Sequence, residues 1–315
     1  MSLPAARVAA RTVAACALAA ALLVAAPCRA NSLEVCDRPR EPSADEKDVM
    51  LRFGALVREA LAASGHDVAL IARSGLDLHR LDVRYSHEGI ALKDSAATPW
   101  SVRELYYSCD EHKPRVYDEG LAGFVMGTDD PTTSFVSLVF LPDVDADTLR
   151  RAALDKRQSL AVLGASYSAN AYAFNTVHQN CNQWVMELIA SAGGADGRDD
   201  APDAADHRAR AQRWLRAQGY LPTVFTVSAH PMMWIADVLP WLANDDHPAE
   251  EVAHNRYNVS MPTSIETFVQ AKADGATRVE LCHNGRHVVI HDGWTDIAAG
   301  CVEQPGDRVI ELERD

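Results

Sequence analysis

The stretch that most constrains this chain is Asn175 to Glu187, because it opens a helix on a cysteine. Asn180 suits the N-cap, and Gln183 falls three residues later as in a capping box. Trp184, Val185, Leu188, Ile189 and Ala192 then recur at helical spacing until Gly193-Gly194. The pattern predicts a helix that begins at Cys181. A thiol at a helix start meets the positive end of the dipole and several unpaired backbone N–H groups, a setting that favours thiolate over thiol and can receive an oxyanion. The competing reading is a small buried thiol, since Cys181, Val185, Leu188 and Ala192 share one face.

Residues 1–30 read as a secretory signal. Arg7 and Arg11 precede an apolar run from Val13 to Ala26, and Cys28-Arg29-Ala30 offers small residues for cleavage before Asn31. The run is too short for a stable membrane span, and Pro27 before Cys28 argues against a lipoprotein signal. An exported protein, periplasmic or secreted after cleavage near Ala30, is therefore expected. The full chain's formal charge of −14, more negative still once the arginines of residues 1–30 are removed, argues against nucleic acid and anionic membranes as partners. After cleavage the cysteines are Cys36, Cys109, Cys181, Cys282 and Cys301, an odd number for an oxidising compartment. Cys282 and Cys301 make a natural pair, Cys36 and Cys109 could form a second, and Cys181 is left over.

Along the chain, Ser43-Ala-Asp-Glu46 is a capping box for a packing helix that stops at Gly65, and Asp67–Arg73 is a short buried strand. In Arg84–Leu92, alternation puts Tyr85, His87, Gly89 and Ala91 on one side of a strand. Trp100, Val102, Glu104 and Tyr106 share a face of the next strand. His87 and Glu104 thus sit on consecutive strands that can pair. A carboxylate beside a histidine fixes its tautomer and stabilises its imidazolium, as a base serving a cysteine requires. The plainer reading is a core histidine satisfied by a carbonyl.

The strand Asp67–Arg73, Tyr85-Ser-His-Glu-Gly-Ile90, the Glu104 strand and Asn180-Cys-Asn182 together resemble the circularly permuted papain-like fold of NlpC-like and lecithin:retinol-acyltransferase-like thiol enzymes. That likeness covers roughly residues 66–192. More narrowly, the chain resembles an exported bacterial family, domain of unknown function 2145, in the Ser-His-Glu-Gly segment, the Asn-Cys-Asn-Gln-Trp-Val segment and Ser260–Phe268. The resemblance implies Cys181 as nucleophile, His87 as general base and then acid, and Glu104 as the group that orients His87, with Tyr106 or Asp110 as alternatives for the third role. Asn180, Tyr85 and His178 are further candidates for the site.

Two lesser readings concern the same residues. His178 lies three residues before Cys181 and could act as a second base or substrate contact. Cys109, His112, His178 and Cys181 offer metal-ligand spacings, which would require Cys109 unpaired; no metal and no cofactor is expected. Tyr167, Tyr172 and Phe174 could wall a groove or simply pack. Met232 to Leu242 is an apolar, amphipathic segment that could be a lid or a partner surface, with packing over the sheet as the simpler use of its two tryptophans. Thr277–His283 and Arg286–Asp292 flank Asn284-Gly285, a strong hairpin signal.

The expectation is an α+β protein in three parts: a signal peptide over 1–30, a permuted papain-like domain over 31–222 whose antiparallel sheet packs on the cysteine helix, and a C-terminal helical and β-hairpin extension over 223–315. Its expected activity is that of a cysteine hydrolase or acyltransferase on amide, ester or thioester bonds in the cell envelope. Cell-wall peptides come first as substrates and acyl-bearing lipids second. The alternative from another class is a non-catalytic envelope binding or assembly protein that keeps the fold.

Overall fold

The computed structural model describes residues 42–76, 78–195, 204–227 and 241–312, all within one compact unit, Val35–Asp315. The expected signal, Cys36 and most of the Met232–Leu242 segment lie outside them. In chain order the strands are β1 (Val68–Arg73), β2 (His87–Leu92), β3 (Ser101–Ser108), β4 (Lys113–Glu119), β5 (Ser134–Phe140), β6 (Thr223–Thr226), β7 (Arg256–Val259), β8 (Thr277–His283), β9 (His287–Asp292) and β10 (Arg308–Glu311). Eight of them form one sheet in the order β10-β9-β8-β5-β1-β2-β3-β4, with every neighbouring pair antiparallel, while β6 and β7 pair separately. The architecture is α+β, built on a large antiparallel sheet.

Helices cover both faces of that sheet, which is why β1 and β2 are buried at every residue instead of alternating with solvent. On one face lie α1 (Ala44–Ala63) and α2 (Leu121–Met126), whose Phe53, Val57, Leu61 and Phe124 pack with Ala69, Ile71, Ala91 and Val102. The Ser43–Glu46 capping box that starts α1 is formed in both directions. After α3 (Asp143–Leu154) and α4 (Lys156–Ala161) comes α5 (Cys181–Ala190), followed by α6 (Ala204–Ala217), α7 (Ala249–Ala253) and α8 (Pro262–Lys272). Helices α3, α5, α6 and α8 supply Leu149, Trp184, Leu188, Leu215 and Ile265 to the other face, against Leu70, Ile90, Leu92 and Leu105.

Helix α5 is covered on all sides, its polar positions Asn182, Gln183 and Glu187 included. The apolar spacing foresaw one buried stripe; the rest is buried because Arg208 of α6 enters the core and pairs with Glu187 at 2.7 Å. At the C-terminal end, β8 pairs with β5, so the β8–β9 hairpin continues the main sheet. Cys282 and Cys301 are joined by the expected disulfide. A cross-link closing a loop of that size contributes about 3 kcal/mol in the loop-entropy model. Cys109 is disulfide-bonded as well, and Cys36, its expected partner, lies outside the described residues.

Candidate active site

Asn180 caps α5: its Oδ1 accepts from Gln183 N at 2.7 Å, and its Nδ2 donates to Ala169 O and Ser260 O at 3.3 Å. Cys181 is the first helical residue, 5% exposed, and the free cysteine among the described residues. Its Sγ donates to Asn182 Oδ1 at 3.5 Å. The amide of Asn182 in turn donates to Ser86 O at 3.2 Å and Ser260 O at 3.1 Å. One side chain thereby ties the start of the cysteine helix to the residue before His87.

His87 opens β2 and Glu104 lies on β3. The ladder pairs Ala91 with Val102 and Ile90 with Arg103, and its continuation brings Gly89 opposite Glu104 and His87 opposite Tyr106. Glu104 Oε2 meets His87 Nε2 at 2.7 Å, with the carboxylate fully buried. Gly89 makes this approach possible. A Cβ at that position would lie 2.5 Å from Val102 Cγ1 and 3.2 Å from Glu104 Cβ. Above the imidazole, the Tyr106 ring is stacked at 4.6 Å and 19°. Burial pushes the Tyr106 phenol far above its ordinary value, so the stacked ring is neutral. The Tyr106 hydroxyl accepts from Arg73, which also donates to Gly127 O. A Cβ on Gly127 would lie 2.6 Å from the Arg73 guanidinium, so this packing too needs glycine.

His87 and Cys181 line one cavity of about 340 Å³, together with Asn182, Tyr106 and Arg73. They come to it from different sides of the sheet. His87 alternates with Ala91 onto the α1–α2 face and lies 5.9 Å from the Phe124 ring, whereas α5 packs on the Ile90–Leu92 face. The cavity sits where β2 begins, so both faces reach it. With Nε2 held by Glu104, the ring nitrogen left for chemistry is Nδ1.

The other expected site residues fall elsewhere. Tyr85 does not line the cavity; its hydroxyl donates to Glu280 of β8, because β2 starts only at His87 and the alternation does not extend back to it. His178 is taken up by Ser166 Oγ at 2.9 Å and Asp245 Oδ1 at 2.7 Å and lies outside the cavity lining, so its part is to fasten two loops. The Cys109 disulfide removes the condition on which the metal reading rested. Of the three aromatics, Tyr167 lines the cavity, while Tyr172 packs on His247 and Phe174 on Tyr220. Asn182 and Arg73 were not singled out from the sequence. Asn182 had a visible signal, its place directly after the cysteine; Arg73 had none, because it looks like the polar end of a buried strand.

A family described as "Uncharacterized protein conserved in bacteria (DUF2145)" matches residues 60–269. The chain belongs to that family. The match takes in His87, Glu104 and Cys181, and it reaches into α8, so it covers both of the loops that Asn182 joins. Among curated proteins and among solved structures, nothing matches this DUF2145 chain.

Proposed function

We propose that this protein is a thiol hydrolase or acyltransferase with a circularly permuted papain-like core. The observation that carries the reading is the set Cys181, Asn182–Ser86 O and His87–Glu104 around one cavity. In the reaction, His87 Nδ1 takes the proton of the Cys181 thiol as Sγ bonds to the carbonyl carbon of an ester, thioester or amide. The tetrahedral oxyanion is received at the N-terminus of α5. As the bond to the leaving group breaks, that group departs with the proton from His87, leaving an acyl-enzyme on Sγ. Water, or another acceptor, then loses a proton to His87, attacks the thioester carbonyl and frees the thiol. Glu104 holds the imidazole in place and stabilises its charged form.

The bonded cysteines at 109, 282 and 301 fit an oxidising compartment, which supports export to the cell envelope. A binding protein that keeps the fold is the second reading. In its favour, the Cys181 thiol is bonded to Asn182 and not to His87. Incubation with p-nitrophenyl acetate decides between the two. The enzyme reading expects nitrophenolate release and an acetyl group on the Cys181 peptide by mass spectrometry, both lost in Cys181→Ala and His87→Ala. Absence of acetylation in folded wild-type protein selects the binding reading.

A further inference from the structure

The cavity lining is mainly apolar: beside Cys181, Asn182 and His87 it holds Leu76, Leu78, Phe225, Val227, Trp241 and Leu242. The charged residues on the lining are Arg73 and Asp129, and both terminal nitrogens of Arg73 already donate to Gly127 O and Tyr106. A peptide carrying several carboxylates would meet no dedicated cation there. Desolvating such groups without partners is costly, so the lining selects against them.

The apolar wall is braced before anything binds. The segment from Trp241 to Asp246 is held along residues 169–178 by Ala169 N on Trp241 O at 2.8 Å, Asn170 Nδ2 on Asn244 Oδ1 at 2.6 Å and Tyr172 N on Asp246 Oδ2 at 2.8 Å. His178 adds its contact to Asp245. Phe225 is fixed opposite Tyr257 in the β6–β7 ladder. A braced apolar lining beside a thiol has the build of a site for an aliphatic group.

We propose that the substrate is a medium-chain acyl ester, thioester or amide whose carbonyl sits at Cys181 and whose hydrocarbon chain lies against this apolar lining; the proposal rests on the acyl-enzyme reading above. The acyl carbon becomes bonded to Sγ, its bond to the alcohol, thiol or amine breaks, and the leaving group carries the proton away. The whole cavity, reacting end included, is about 340 Å³, so at roughly 30 Å³ for each small group of water size it is of the scale of a medium-length chain. Each buried methylene strengthens binding up to about fourfold.

The test uses N-alkyl iodoacetamides from methyl to decyl, with alkylation of Cys181 followed by mass spectrometry on the non-reduced protein. Each rate is normalised to that of free cysteine. Wild type, His87→Ala, Leu76→Asp and Phe225→Ser are compared. Leu76 is 38% exposed, so the first wall variant leaves the fold intact. The expected result is a normalised rate at least tenfold higher for decyl than for methyl in wild type, with the gradient cut to less than about threefold in both wall variants. Equal rates at all lengths, still slowed by His87→Ala, overturn the acyl-chain proposal and leave the thiol-enzyme reading standing. Slow labelling at every length, unchanged by His87→Ala, overturns the reading beneath it and the proposal with it.

Discussion

Glu187 and Glu104 are both fully buried beside α5 or the strands it reaches, yet their partners leave the two sites in different conditions. Glu187 accepts from Arg208, Gln179 and Gln212, and the remaining N–H groups of Arg208 go to the carbonyls of Asn175, Thr176 and His178. That network is saturated and shapes the loop entering Cys181. Glu104 holds one nitrogen of His87 and leaves the other for the cavity. The same chemistry, a carboxylate with a nitrogen base out of water, makes a brace in one place and, in the proposed enzyme, a reactive group in the other. What separates them is whether every donor and acceptor has been spent.

The largest expected effect lies on the saturated side. Replacing Arg208 by Met leaves Glu187 without its charge partner, and breaking a buried pair in this way costs about 3–5 kcal/mol. Urea unfolding measures it. A loss below about 1 kcal/mol would mean that the network braces nothing and would dissolve the contrast.

His283 offers a third case, a buried histidine with no carboxylate hydrogen-bonded to it. It meets Ser134 Oγ at 3.1 Å and lies 4.8 Å from the Phe53 ring, tilted at 55°, and burial lowers its pKa to about 4 against the weaker opposing pull of Asp130. Its ordinary value is near 6.5, so the unfolded chain takes up the proton first as pH falls. Stability is therefore fully present above about pH 6.5 and drains away down to about pH 4, by up to about 3 kcal/mol. His283→Gln flattens that part of the stability profile against pH; an unchanged slope contradicts the assignment.

The smallest expected effect concerns the entry of Glu104 beside His87. Gly89→Ala drives a methyl group to within 2.5 Å of Val102 Cγ1. Overpacking of this kind costs about 1–3 kcal/mol. It also pushes Glu104 from His87, so nitrophenyl acetate turnover falls at least tenfold while the protein remains folded. Full activity in Gly89→Ala would show that the His87–Glu104 distance is not critical.

Much of this arrangement was legible in the sequence because it depends on local periods. The α5 start follows from Asn180 and the apolar spacing, and the meeting of His87 with Glu104 follows from the two-residue period of adjacent strands. The β8–β9 hairpin follows from Asn284-Gly285. What stayed hidden depends on distant partners. Alternation places Tyr85 on the His87 side and makes it a further candidate for the site, but Glu280 on β8 takes its hydroxyl. Asn182 gains its bridging part from Ser86 and Ser260, residues far from it in the chain, and Arg73 gains its part from Tyr106 and Gly127. The apolar residues of the cavity lining come from separate segments of the chain, none of which announces a pocket alone.

In the proposed enzyme, His87 and Cys181 act on one another across the cavity. The most direct measurement is the rate of iodoacetamide alkylation at Cys181 near neutral pH, read by mass spectrometry on non-reduced protein, in wild type, His87→Ala and Glu104→Gln. Fast labelling is expected in wild type, slowed at least tenfold by His87→Ala and by a smaller factor in Glu104→Gln. A Cys181 that labels slowly in all three, or equally fast in all three, would contradict it.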